Sequence, residues 1–289
     1  MYRFLSILFI FLLTCQKPKT NTDNFELFKV KNSEGLLIVF PGGGSTSKET
    51  KIEFKILKKA IQNKVSVLLM DFNRHLWIDE NDAKKLEKSI NKIVEESNLN
   101  VDNIFIGGMS IGGTVALSLS NYLAKTNSKL DPKGVFVVDS PIDLYGLYQS
   151  SKKDLLRKDF SEERLAEPKW IINYFEEEFS KDSLLINIQK YAPITLETKN
   201  TTNIDALKFK KIRFYTEPDT LWYKTNRQTD FESTNAYLLQ KTVALLESKG
   251  WKKATLIQTK NRGFRANGER NPHSWSIVNV DELIKWMLN

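Results

Sequence analysis

Residues Asn103 to Leu119, NIFIGGMSIGGTVALSL, set four glycines around Ser110 between two apolar runs. Within them Gly108-Met109-Ser110-Ile111-Gly112 is G-x-S-x-G. That pattern suits a serine on a sharp strand-to-helix turn, its hydroxyl held clear of the backbone beside the N–H groups that open the helix. A plain turn also uses glycine and serine, but glycine on both sides implies that something comes very close. A serine hydroxyl is a weak nucleophile at neutral pH and needs a base. His273, in GERNPHSWSIV, qualifies. Its imidazolium needs a carboxylate to orient and stabilise it. Asp219 in YTEPDTLWY is favoured, which gives the chain order Ser110, Asp219, His273. Glu217, two residues before it, and Asp139, ending an earlier apolar run, stay open as alternatives. The chemistry within reach of these types is nucleophilic acyl transfer.

An acyl-transfer serine also needs donors for a developing oxyanion. The loop PGGGS, residues 41–45, offers backbone N–H groups with no side chains in the way. The expected pair is the N–H of Ile111 with that of Gly43 or Gly44. Glycine-rich loops also cradle phosphates, but the pattern G-x-x-x-x-G-K-[ST] is absent from this one. His75 precedes the serine and breaks the expected order, so it is given no base role; with Trp222 and Tyr223 it suits either a pocket wall or structural packing. Two histidines and one cysteine are too few for a His- or Cys-rich metal cluster. No metal and no cofactor is expected.

These residues must be positioned by elements that the apolar pattern makes legible. Strands are expected at Phe25–Lys31, Gly35–Phe40, Val65–Asp71, Ile104–Gly107, Gly134–Asp139, Ile212–Thr216 and Ala254–Thr259. Several are unbroken apolar runs, as in strands covered on both faces. Helices are expected around Ile52–Ile61, over Glu80–Ser97 and Ile111–Lys125, across Ser233–Lys249 and near Val280–Leu288. The alternation predicts an α/β fold with a mostly parallel central sheet flanked by helices. The rhythm breaks at about 141–207, aromatic and charged (SEERLAEPKWIINYFEEEF), which reads as a helical cap insertion. Its Trp170, Tyr174 and Phe175 suit either an apolar ligand or the cap's own core.

The chain has 289 residues, 41% of them hydrophobic and 27% charged, an ordinary balance for a chain with a sizeable core. Its formal charge is +8, but the lysines are interleaved with glutamates, as in KKLEKSINKIVEES. That arrangement reads as solvated helix faces, with no nucleic-acid partner. A basic surface protein would instead need its lysines gathered on one face. The N-terminus, MYRFLSILFIFLLTC, places Arg3 before an apolar run, Phe4 to Leu13, too short for a bilayer span but right for a signal-peptide core.

Leu12-Leu13-Thr14-Cys15 resembles the lipobox of bacterial lipoproteins, which implies lipidation at Cys15 and anchoring in the bacterial cell envelope. The expected organisation is a signal peptide over 1–15, a polar tether and first short strand over 16–30, and the main domain over 31–289. That domain resembles the α/β-hydrolase superfamily, and specifically its esterase/lipase-like members. PGGGS looks like the family's HGGG oxyanion loop, with Pro41 in place of a histidine that supports the loop without acting as base. The resemblance implies a serine hydrolase acting on a small-molecule or lipid-like carboxylic ester. A peptidase or acyltransferase would share the triad, and a non-catalytic envelope lipoprotein could keep the fold for binding.

Overall fold

The apolar runs become the strands of one seven-stranded sheet, seen in a computed structural model that describes residues 25–72, 75–179 and 181–289. The expected signal peptide, Cys15 and residues 16–24 of the tether lie outside the described residues. The strands are β1 (Phe25–Phe28), β2 (Gly35–Phe40), β3 (Val65–Met70), β4 (Ile104–Met109), β5 (Gly134–Val138), β6 (Lys211–Thr216) and β7 (Ala254–Gln258). Their order is β1-β3-β2-β4-β5-β6-β7. β1 runs antiparallel to β3, and the remaining pairs are parallel. Parallel pairing gathers the carboxyl ends of six strands at one end of the molecule, where α/β sheets place their sites.

The helices are α1 (Ser47–Glu53), α2 (Leu57–Gln62), α3 (Glu80–Glu96), α4 (Ile111–Lys125), α5 (Leu144–Leu155), α6 (Glu162–Glu178), α7 (Leu184–Gln189), α8 (Thr220–Arg227), α9 (Asn235–Ser248) and α10 (Val280–Leu288). Strand alternation divides the core into two layers. Leu36, Ile38 and Phe40 of β2 join α3, α4 and α9 on one face. Leu37 and Val39 join α2 and α10 on the other. A strand covered on both faces has no polar position to spare, hence the continuous run GLLIVF. In α3, Ala83, Leu86, Ile90, Ile93 and Val94 form the buried face that their spacing predicts.

Two expected elements differ. The helix expected around Ile52–Ile61 is two helices, α1 and α2. They part at Phe54, whose buried ring stacks on Trp275 with centroids 4.3 Å apart. The first strand, expected to reach Lys31, stops at Phe28 and pairs antiparallel with β3.

The 141–207 stretch is an insertion between β5 and β6, and α5, α6 and α7 build it. Its core is a separate apolar cluster around Tyr148, Ile171, Ile172, Phe175 and Ile188. Leu76 and Ile111 belong to that cluster, so the cap rests on the residue that follows Ser110. Phe175 is fully buried beside Trp77 and Tyr148, which makes it core. Tyr174 packs edge-on against Trp77, and Trp170 lies at the cap surface.

Candidate active site

Ser110 joins β4 to α4 with φ 54° and ψ −132°, a conformation that side chains rarely adopt. Its N–H donates to the Val138 carbonyl at 2.9 Å, continuing the β4–β5 ladder, and its own carbonyl accepts from the Gly113 N–H at 2.9 Å. The close approaches that glycine predicted are specific. A Cβ on Gly108 would stand 2.1 Å from the Gly112 carbonyl oxygen, and one on Gly112 would stand 2.2 Å from the Pro41 carbonyl oxygen. Larger residues would hold the helix off the strand, or the glycine loop off the helix. The start of α4 leaves its first N–H groups without intrahelical acceptors, and Ile111 supplies the first of them.

The carboxylate on His273 is Asp139. His273 Nδ1 lies 2.6 Å from Asp139 Oδ2. Asp139 directly follows β5, as Ser110 directly follows β4, and Met109 and Val138 are partners in register. Both residues leave their strands with positive φ, 42° at Asp139. Asp139 is 2% exposed, and its Oδ1 accepts from the Thr216 hydroxyl at 3.0 Å. Asn235 Nδ2 donates to its carbonyl at 2.9 Å, which holds the bent backbone in place. The half-buried imidazole is thus oriented by an acid that is itself fixed from two neighbouring elements.

Asp219, expected to be that acid, is engaged elsewhere. It caps α8, its Oδ1 accepting from the Trp222 N–H at 3.0 Å, and its Oδ2 meets Arg270 Nη2 at 2.6 Å. Glu217 is buried and also pairs with Arg270. It accepts from the Thr259 hydroxyl at 2.9 Å, and from the Arg262 and Gly263 N–H groups at 2.8 and 3.2 Å. Arg270 in turn donates to the Gly263 carbonyl at 2.6 Å. Both acids after β6 therefore pin the loop that carries His273 and leave the imidazole to Asp139. Chain order could not separate the candidates, because Asp139 also falls between Ser110 and His273. No periodicity or motif marked Arg270 or Asn235.

The glycine loop packs against Ser110 and the first residue of α4. A Cβ on Gly42 would be 3.7 Å from Ser110 Cβ, and one on Gly43 would be 3.2 Å from Ile111 Cδ1. Gly44 sits at the tip of the turn closed by the Ser45 N–H on the Gly42 carbonyl, with φ 76° and open space beyond it. Of the loop glycines, Gly42 lies nearest Ser110 and Gly43 nearest Ile111, whereas Gly44, one of the two expected donors, is near neither.

Of the expected pocket residues, Tyr223 is nearest the chemistry. Its hydroxyl lies 3.4 Å from Asp139 Oδ2. Burial, with the charge of Asp139 behind it, pushes that phenol well above its ordinary range, so it stays a neutral donor. Trp222 packs edge-on against Tyr223. His75 stacks on Phe72, centroids 4.4 Å apart, and burial holds its pKa below the usual 6.5. It makes no contact with Ser110, Asp139 or His273 among the described hydrogen bonds and ring pairs. Among the described residues no cluster of three or more His, Cys, Asp or Glu side chains could hold a metal ion.

Comparison with known proteins supplies a family and a fold. The family model for steryl acetyl hydrolase matches residues 19–204, well over half of the chain. The match takes in Ser110 and Asp139 and stops short of Asp219 and His273. No curated protein sequence matches the chain. Among solved structures, carboxyl esterase 2 from the mycorrhizal fungus Tuber melanosporum is 15% identical, with a TM-score of 0.54 over 91% of this chain and 78% of that one. EstE5, soaked with p-nitrophenyl butyrate, is 14% identical, with a TM-score of 0.55 over 88% and 78%. An esterase of the bacterial hormone-sensitive lipase family is 13% identical, with a TM-score of 0.55 over 94% and 86%. At such identities the likeness is one of fold, and that fold is the α/β-hydrolase fold. The family match adds the activity class: the chain belongs to the steryl acetyl hydrolase family and is a carboxylesterase-like hydrolase.

Proposed function

We propose that Ser110, His273 and Asp139 form a catalytic triad that cleaves a carboxylic ester through an acyl-enzyme. The observation that carries this reading is the 2.6 Å contact of His273 Nδ1 with buried Asp139, at the strand end beside the Ser110 elbow. Asp139 fixes the tautomer in which Nδ1 bears the proton, leaving Nε2 free to act as base. Ser110 Oγ attacks the acyl carbon as His273 takes its proton. The N–H of Ile111 and an N–H of the Gly42–Gly43 stretch hold the oxyanion. His273 then protonates the departing alcohol, and a water activated by the same imidazole releases the acid.

The family name supplies the substrate class: a small acyl group, acetyl, on a bulky apolar alcohol such as a sterol. The mostly apolar cluster where the cap meets Ile111 supports it. For residues 1–15 the proposal remains a lipoprotein signal that attaches the enzyme to the bacterial envelope through Cys15. The test is steady-state hydrolysis of p-nitrophenyl acetate by wild type and Ser110→Ala. Turnover is expected to fall about 10⁶-fold in the variant. Turnover within a few-fold of wild type would overturn the mechanism.

A further inference from the structure

Interleaved in the sequence, the basic residues are gathered unevenly on the folded surface. Three segments lie at the carboxyl end of the sheet, the end that carries Ser110 and Asp139: residues 47–55, which span α1; residues 219–228, which span α8; and residues 259–272, in the loop that carries His273. Each follows the carboxyl end of a parallel strand. They are joined edge to edge. The Ala266 N–H donates to Glu53 at 3.0 Å, and Arg270 meets Asp219 at 2.6 Å. Together they hold nine Lys and Arg against four Asp and Glu, whereas the whole chain has 43 against 35. Lys48, Lys55, Lys224, Lys260 and Arg262 are exposed. Among them large apolar side chains stand in solvent: Ile52 at 59% exposure, Leu221 at 74% and Phe264 at 41%.

The chain outside the described residues joins at this same end. Phe25, the first described residue, pairs with Met70, the last residue of β3. The 24 residues before it include the apolar run Phe4 to Leu13. Lysines also gather at the opposite end of the sheet, with Lys133, Lys210, Lys211 and Lys253 around Phe209. That end lies away from Ser110, and β1 does not begin there.

We propose that the rim formed by α1, α8 and the His273 loop docks on an anionic lipid surface, turning the mouth of the active site toward the bilayer. Ile52, Leu221 and Phe264 enter the headgroup region while the surrounding lysines and arginines neutralise lipid phosphates, a combination that binds where either part alone is weak. An ester with an apolar alcohol then reaches Ser110 without crossing water. This deepens the esterase reading and rests on it for the substrate, but the docking is measured without turnover.

The experiment is hydrogen exchange read by mass spectrometry on the full chain, bound to phosphatidylcholine vesicles with and without phosphatidylglycerol. Exchange over residues 47–55, 219–228 and 259–272 is expected to slow about fivefold or more on the anionic vesicles and less on the neutral ones. Residues 207–211 and 252–253 should be unchanged. The variant Ile52→Asp/Lys55→Glu/Leu221→Asp should lose this protection while keeping p-nitrophenyl acetate turnover within about twofold, as its three sites touch none of the reacting groups. Unchanged rim exchange, protection centred on 207–211, or protection that survives in the variant would overturn the docking. Failure of the wild type to cleave p-nitrophenyl acetate would overturn the esterase reading alone, since exchange judges the docking separately.

Discussion

At the scale of single residues, the assignment turns on which carboxylate holds the imidazole. Ser110 and His273 were legible because their surroundings are distinctive: a glycine-framed serine after an apolar run, and a histidine between the last strand and the last helix. The acid was not. Asp139, Glu217 and Asp219 all follow parallel strands, and a sequence does not say which carboxylate the His273 loop will fold onto. In the structure Asp219 is taken by its own helix cap and by Arg270, whereas Asp139 has His273 Nδ1 at 2.6 Å. Two isosteric variants should therefore part company. Asp139→Asn keeps the shape but loses the charge and the tautomer it fixes, and kcat should drop about 10⁴-fold. Asp219→Asn, which can still cap α8, should cost less than about tenfold. Equal losses in kcat would show that the imidazole does not depend on Asp139 in this way.

At the scale of elements, strands and helices were readable where burial is complete. Six-residue apolar runs leave few alternatives once both faces are covered, and the face of α3 follows from spacing alone. The break between α1 and α2 was hidden, because it is set by Phe54 stacking on Trp275, more than two hundred residues away in sequence. The His273 loop was opaque for a similar reason: its shape comes from buried Glu217, which gathers Arg270 with the N–H groups of Arg262 and Gly263. Removing that acid strands the N–H groups of Arg262 and Gly263 and leaves Arg270 to Asp219 and the Gly263 carbonyl. Glu217→Ala is expected to lower unfolding free energy by about 1–3 kcal/mol, measured in urea, as buried donors lose their acceptor, and to lower kcat through a loosened His273. A variant as stable as wild type would show that the loop is held by other contacts.

At the scale of the molecule, length and composition indicated a chain with a large core, and the alternation of elements indicated the mostly parallel sheet. The distribution of charge was not legible, because residues interleaved along a helix reach different faces once it packs. One global property follows from a single half-buried group. His75 has its pKa below 6.5 in the folded state because burial disfavours its charged form. The unfolded chain accepts that proton as pH falls through its ordinary 6.5, and the folded chain does not. This contribution to stability is therefore lost as pH drops below that value, down to the folded pKa. His75→Phe keeps the stack on Phe72 and removes the titration. Its stability should fall less steeply than that of wild type between about pH 7 and 5, followed by thermal unfolding at several pH values. Parallel curves would mean that His75 takes up its proton equally in both states.

Activation of Ser110 is tested by covalent labelling of the full chain with a fluorophosphonate, the modified residue being identified by peptide mass spectrometry. A serine activated by His273 on Asp139 predicts one modified site, Ser110, with labelling abolished in Ser110→Ala and slowed severely in His273→Ala and Asp139→Asn. Labelling of the folded wild type at another residue, none at all, or labelling of Ser110 at an undiminished rate in the Asp139 variant, would contradict it.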